Sequence, residues 1–153
     1  LFAPTNNVCM DFTVNRFRDR PGLHHGSARG TRKAAPGFED QIGQFSAIDL
    51  RTGEPRWVYR QQAGIGGSVL TTGGGLVFVS DDARRFRAFN AETGDILWEQ
   101  ILNSSAGGFP VSYMHNGVQY IAIASGGGIN YRGLTPEVQQ PGRGNMLFVF
   151  RLP

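Results

Sequence analysis

The sequence predicts an all-β fold assembled from repeated antiparallel units, and three observations carry that prediction. First, Ser46 to Trp57 (SAIDLRTGEPRW) and Arg87 to Trp98 (RAFNAETGDILW) are copies of one another, in a register that separates Trp57 from Trp98 by 41 residues. Ala47/Ala88, Thr52/Thr93, Gly53/Gly94 and Trp57/Trp98 are identical, and Ile48/Phe89, Asp49/Asn90 and Glu54/Asp95 keep their chemistry. Second, a period near forty, carried by short apolar strands and a fixed turn rather than by helical heptads, is what one blade of a β-propeller requires. Third, the 22 glycines and modest charge suit many tight turns between strands and argue against disorder.

The elements follow in chain order. Leu1 to Ala3 reads as the end of a strand, and residues 13–43 as a long loop between blade strands. Phe45, Ala47 and Ile48 form a strand; Asp49 and Thr52-Gly53 supply a turn in which glycine takes positive φ. Arg56 to Gln61 is the next strand and brings Trp57 to a place where it can cover a neighbouring blade, with small Ala47 allowing close approach. Thr71-Thr72-Gly73-Gly74 turns into a strand from Gly75 to Ser80, and Asp81 to Arg84 turns into the second copy. Pro110 to Met114 and Val118 to Ala124 flank His115-Asn116-Gly117, and Asn-Gly is the strongest two-residue hairpin signal. A second excursion covers residues 126–144, and Asn145 to Leu152 forms a terminal strand. Gly43 to Ile48 aligns with Gly144 to Val149 at a spacing of 101, as if a third repeat begins and stops before its Thr-Gly turn.

At 153 residues the chain holds three to four blades' worth of sequence. It opens on Leu1-Phe2-Ala3-Pro4, without initiator Met, basic n-region or apolar h-region, and reads as the C-terminal part of a longer protein. No run approaches the roughly 18 apolar residues of a membrane helix. The formal net charge of +3 comes largely from Arg16, Arg18, Arg20, Arg29, Arg32 and Lys33. They stand among prolines and glycines without regular aromatic spacing, which favours a solvated loop or a docking patch for an acidic redox partner over nucleic acid.

Familiar catalytic signatures are missing. The Gly-rich runs at 64–67, 73–75 and 126–128 lack the Walker lysine and the helix-opening dinucleotide pattern, and no nucleophile elbow occurs. His24, His25 and His115 fall in predicted loops or turns, and the adjacent pair lacks Cys or carboxylate partners for a metal. Cys9, the only cysteine, is either a small buried residue or one half of a disulfide with an upstream cysteine. Asn103-Ser104-Ser105 matches a glycosylation sequon, a weak signal alone.

The segments FAPTNNVCMDF (2–12), AIDLRTGEPRW (47–57), TTGGGLVFVSDDARRFRAFNAETGDILW (71–98), FPVSY (109–113) and GVQYIAIASGGG (117–128) together resemble the C-terminal third of dehydrogenases dependent on pyrroloquinoline quinone (PQQ). The resemblance implies the C-terminal blades of an eight-bladed β-propeller, a single domain interrupted by long loops at 13–43 and 126–144. It further implies a periplasmic enzyme that holds PQQ with a calcium or lanthanide ion, oxidises an alcohol or sugar hydroxyl, and passes electrons to cytochrome c or ubiquinone. Asn6 matches an asparagine beside the quinone, with Asn7 as its neighbour and fallback. Gly66 and Gly67 match a cofactor-side sequence, although Gly66 stands where the alcohol-oxidising branch often carries Trp, which leans towards a sugar-oxidising or other divergent branch. Ile129, Asn130 and Tyr131 match a loop at the substrate mouth. The catalytic base and metal ligands of the family come from earlier blades, so the resemblance assigns no catalytic residue and no metal ligand here. A non-catalytic propeller scaffold of the outer-membrane assembly lipoprotein type shares the repeat and is the alternative; it predicts no polar cofactor site.

Overall fold

A computed structural model describes residues 1–14, 28–127, 131, 133–135 and 144–152. The described residues form twelve strands and no helix. The first sheet joins β1 (Phe2–Asn6), β4 (Gly43–Ile48) and β5 (Pro55–Gln61), and between β1 and β4 the chain runs out through a hairpin, β2 (Val8–Val14) with β3 (Ala28–Ala34). The second sheet has four strands in sequential order: β6 (Leu70–Thr71), β7 (Leu76–Ser80), β8 (Arg85–Asn90) and β9 (Ile96–Ile101). The third joins β10 (Val111–His115), β11 (Val118–Ser125) and β12 (Met146–Arg151). All pairings are antiparallel.

The structure explains why the repeat keeps the residues it keeps. Asp49 Oδ1 accepts from Arg51 N at 3.0 Å, and Asn90 Oδ1 accepts from Glu92 N at 2.8 Å, so either side chain can close the same Asx turn. The Arg51 guanidinium and backbone N–H hold the Asp49 carboxyl below its ordinary range. Three residues after Asp49 and Asn90, Thr52 Oγ1 accepts from Glu54 N and Thr93 Oγ1 from Asp95 N. Gly53 and Gly94 then take φ of 76° and 78°. Ala47 pairs with Trp57 and Ala88 with Trp98, each just before a bulge, so the two tryptophans are equivalent in successive sheets.

Each tryptophan reaches the next sheet. The Trp57 ring stacks on Phe89 at 6.2 Å, meets Phe45 edge-on at 5.3 Å and donates from Nε1 to Ala91 O at 3.1 Å. It closes a core of Phe45, Ile65, Val77, Val79 and Phe89 between the first two sheets. Trp98 meets Phe150 edge-on at 4.9 Å and covers the second core, of Phe78, Phe86, Ala88, Leu102, Ala106, Ile121 and Ile123. The repeat register predicts that both tryptophans are largely buried against a neighbouring blade, and Trp98, at 36% exposed, departs from it. The 91–94 turn that covers Trp57 has no counterpart beside Trp98 among the described residues.

Gly53 and Gly94 separate backbone strain from packing. A Cβ on Gly53 would meet nothing, whereas one on Gly94 would lie 2.7 Å from the Trp57 ring. Gly53→Ala should cost about 1–2 kcal/mol through positive φ alone, and Gly94→Ala a further ~1–3 kcal/mol through overpacking. Melting curves of the two variants should therefore separate, with Gly94→Ala lower.

Four sequence expectations change. The spacing of 101 is one residue short: Phe150 takes from Trp98 the contact that Phe89 takes from Trp57, which makes Ile48, Phe89 and Phe150 equivalents and the spacing 102. A slip of one residue inverts every side chain in a strand, and accordingly Phe148 and Phe150 pack inward while Leu147 and Val149 are exposed. The long loop of 13–43 instead contains β3, paired residue for residue with β2 from Val8↔Ala34 to Val14↔Ala28. β1 runs on to Asn6, and His115 ends β10 instead of lying in the turn, where Asn116 and Gly117 take φ of 49° and 76°. Residues 15–27, which hold His24 and His25, lie outside the described residues, as do Ile129 and Asn130.

Because neighbouring strands alternate in direction, the connections from β1 to β4, β7 to β8 and β11 to β12 leave at one end of the sheets, and the crossings from β5 to β6 and β9 to β10 share that end. The Thr-Gly turns lie at the opposite end. Both excursions thus rise from equivalent corners of the first and third sheets, flanking the short 81–84 turn of the second.

Candidate functional site

Asn6 anchors the loop end. As the last residue of β1 it projects a primary amide at the 62–69 crossing: Nδ2 donates to Ile65 O at 2.9 Å, and Oδ1 accepts from Ile65 N at 2.8 Å. This two-point clip uses one of two amide hydrogens and one of two oxygen lone pairs, so one donor and one acceptor site are left over. Asn7 follows with its Nδ2 on Gln41 O at 3.2 Å, while its backbone N donates to Ile42 O.

Above the clip, the Tyr131 ring covers Gly64 so closely that a Cβ there would collide with it, and the same Cβ would lie 3.1 Å from Asn6 Oδ1. Only glycine fits. Arg32 of β3 lies over the other part of this assembly, its guanidinium carbon 5.6 Å from the Tyr131 ring centre, a cation–π distance. The two excursions therefore meet over the crossing that Asn6 holds. Met10, Gly30, Thr31, Arg32, Tyr131, Gly133 and Leu134 surround a hollow of about 670 Å³ between them.

Gly66 is exposed and Gly67 buried, the latter pressed against Ser80 Oγ and Ala106 O. The pair recurs 41 residues on as Gly107-Gly108, and a Cβ on Gly108 would lie 3.2 Å from Ala124 O, the counterpart contact. Gly64 O accepts from Asp82 N at 2.8 Å, and Ser105 O from Gly126 N at 3.1 Å. Each crossing is thus sewn to the following sheet in the same way. The second crossing also grips both roots of the 126–144 excursion: Ser105 Oγ donates to Gly127 O at 2.9 Å, and Asn103 Nδ2 donates to Gly144 O at 2.7 Å while its Oδ1 accepts from Ser125 Oγ. Asn103-Ser104-Ser105 is therefore a structural element, with both serines buried and the half-buried Asn103 amide engaged at both its nitrogen and its oxygen.

A charged cluster lies at the outer part of the same end. Arg87 Nη1 donates to Asp81 Oδ2 and to Gln61 Oε1, both at 2.8 Å, and Arg87 Nε donates to Glu99 Oε2 at 2.6 Å. Gln61 Nε2 donates to Asp81 Oδ2 at 3.0 Å, and Asp81 Oδ1 accepts from Arg85 N at 2.8 Å. Sequence reasoning missed this network, and the signal available was an arginine between phenylalanines in Phe86-Arg87-Ala88-Phe89. It also missed Gly64, Asn103 and Ser105, although the repeat register extends through them. The Lys33–Asp11 pair, at 3.0 Å, is exposed and belongs to the hairpin alone. Cys9 on β2 is half-exposed and is a free thiol.

Among the described residues no group of three or more His, Cys, Asp or Glu is placed to hold a metal ion, and no described helix is long and apolar enough to cross a membrane. For an organic cofactor the fit is better. Gly66 offers bare exposed backbone, the Asn6 amide keeps spare hydrogen-bonding capacity, and Tyr131 presents an aromatic ring over Gly64 next to that amide, a donor set suited to a planar polar molecule.

Residues 38–121 match the family described as PQQ: glucose/ethanol/alcohol dehydrogenase, beta-propeller domain. The quinoprotein alcohol dehydrogenase PedH of Pseudomonas putida is 35% identical, aligned over 99% of this chain and 26% of its own. The lanthanide-dependent methanol dehydrogenase of Methylorubrum extorquens is 32% identical, over 94% of this chain and 24% of its own. A solved structure titled europium-containing methanol dehydrogenase superposes with a TM-score of 0.84 at 26% identity, over 99% of this chain and 30% of its own. The chain thus spans about a quarter of the length of these curated relatives. The clipped crossings, the sewn sheets and the Trp turns are those of a propeller, and the chain belongs to the family of PQQ-dependent glucose/ethanol/alcohol dehydrogenase β-propeller domains.

Proposed function

We propose that this chain is the C-terminal part of a single propeller domain and contributes one wall of the site at which a PQQ-dependent dehydrogenase oxidises a CH–OH group. The observation that carries the reading is the Asn6 clip on Ile65, which fixes exposed Gly66 and the Tyr131 ring around one crossing at the loop end. Asn6 would hold the cofactor through its spare amide hydrogen and lone pair, with Asn7 next to it. Gly66 and Gly67 would let the backbone come close, and Tyr131, with Ile129 and Asn130 in the same segment, would face the substrate mouth. PQQ, when bound, would supply the acceptor for the two electrons and two protons lost by the CH–OH group, one hydrogen leaving its carbon and one its oxygen. The chain's own part is to orient and to exclude water. The base and the ligands of a calcium or lanthanide ion belong to other blades.

The relatives named above are alcohol and methanol dehydrogenases, which supports an alcohol over a sugar despite the absence of Trp at Gly66. Methanol dehydrogenases of Methylobacterium organophilum and Paracoccus denitrificans carry cytochrome c in their names, which supports cytochrome c as acceptor and a periplasmic setting, with ubiquinone as the other acceptor.

The test uses the full-length protein reconstituted with PQQ and calcium or a lanthanide. Asn6→Ala should weaken quinone retention, read by absorbance after dialysis, by about ten- to a hundredfold, the value of a hydrogen bond to a charged group. Its melting temperature should also fall, because the buried Ile65 N–H and carbonyl lose their side-chain partner, so retention is compared well below the melting point of both proteins. Equal retention in variant and parent removes Asn6 from the site, and a parent that binds no quinone hands the protein to the scaffold reading.

A further inference from the structure

We infer that the hollow between the β2–β3 hairpin and Tyr131, Gly133 and Leu134 admits a bulky, largely apolar primary alcohol, and that Met10 and Tyr131 set the size it accepts. The inference rests on the function proposed above and names its substrate class.

The hollow adjoins the proposed reaction site. The Tyr131 ring forms part of its lining and also lies on Gly64, within reach of the Asn6 amide. Its volume of about 670 Å³ is far more than a one-carbon alcohol fills and lies in the range, roughly 300–1,000 Å³, of sites for whole small molecules. Two of its lining positions, Gly30 and Gly133, contribute no side chain. Met10 folds across one of them, its sulfur 2.6 Å from where a Gly30 Cβ would stand. A thioether on three rotatable bonds adapts to varied apolar shapes and makes favourable contacts with aromatic rings.

The chemistry of the lining selects among hydroxyl compounds. A sugar presents a hydroxyl on nearly every carbon and needs several converging donors and acceptors. Among the described residues the lining offers the Thr31 and Tyr131 hydroxyls and the Arg32 guanidinium, which is already engaged with the tyrosine ring, and no carboxylate or amide side chain. Met10, Leu134 and the face of Tyr131 instead suit an aromatic ring or an alkyl chain of several carbons, whose hydroxyl end points past Tyr131 towards Gly64 and Asn6.

The experiment compares the PQQ-loaded full-length protein with its Met10→Trp variant, which narrows the hollow from a half-exposed strand position. The parent should oxidise 2-phenylethanol and 1-hexanol with kcat/KM at least about tenfold above methanol or glucose. Met10→Trp should lower kcat/KM for 2-phenylethanol by about tenfold or more and change ethanol by less than about threefold, with quinone content unaltered. Saturation-transfer NMR on the quinone-free protein should detect 2-phenylethanol bound to the parent and a weaker signal for the variant. Methanol or glucose as the preferred substrate, equal effects of Met10→Trp on all alcohols, or no NMR signal in the parent each overturns this inference while leaving a quinone-holding dehydrogenase in place. A parent that holds no quinone overturns the function it rests on, and the NMR measurement still reads the hollow.

Discussion

Trp57→Ala is expected to destabilise the folded protein by about 3–5 kcal/mol, the range for removing a large aromatic from a packed core. The ring touches three aromatic neighbours, Phe2 at 5.9 Å, Phe45 at 5.3 Å and Phe89 at 6.2 Å, and its Nε1–H satisfies Ala91 O. Truncation leaves a void between two sheets and an acceptor without its donor. In the 153-residue chain Trp98→Ala should cost less, about 1–2 kcal/mol, because its ring is already 36% exposed. Urea denaturation midpoints measure both, and equal midpoints would mean that Trp57 does not hold the first two sheets together.

Asp81→Ala should be comparably damaging, at about 3–5 kcal/mol, for an electrostatic reason. The Asp81 and Arg87 side chains are 1% and 5% exposed, and the carboxylate also serves Gln61 and Arg85 N. Removing it leaves the guanidinium in a low dielectric with the neutral Gln61 amide and the more exposed Glu99 carboxylate, and breaking a buried pair from one side costs more than the intact pair contributes. Deleting both charges as Asp81→Ala/Arg87→Met should therefore recover much of the loss, which a double-mutant cycle reads directly. A double variant no more stable than Asp81→Ala would rule out a stranded charge as the cause.

The blade frame could be read from the sequence because its determinants are local chemistry. Asp49 or Asn90, Thr52 or Thr93, and Gly53 or Gly94 each act within a few residues of themselves, and Trp57 and Trp98 mark the same place in two copies. β3 could not be read, because Ala28–Ala34 is basic and polar and pairs with a hairpin partner instead of covering a core, so no hydrophobic alternation is written into it. The terminal strand misled for the opposite reason. Leu147, Phe148, Val149 and Phe150 are all apolar, and only packing against Trp98 decides which pair turns inward.

The site was legible only in outline. Asn6 stands out as a polar residue ending a strand, but its partners are the backbone atoms of Ile65, which no residue type announces. The meeting of Arg32 with Tyr131 depends on two excursions rising from equivalent corners, a relation visible only once the sheets are stacked.

That arrangement separates two histories within one molecule. The blade ladders pair residues at most 45 apart, whereas Tyr131 must find Gly64 across 67 residues and Arg32 across 99. Contacts so distant in sequence carry a larger entropy of closure and form after the local ones that position them. The chemistry-bearing corner is therefore the last part of the chain to take shape during folding. Lineages can lengthen, shorten or rewrite the two excursions without disturbing the order in which the blades assemble beneath them.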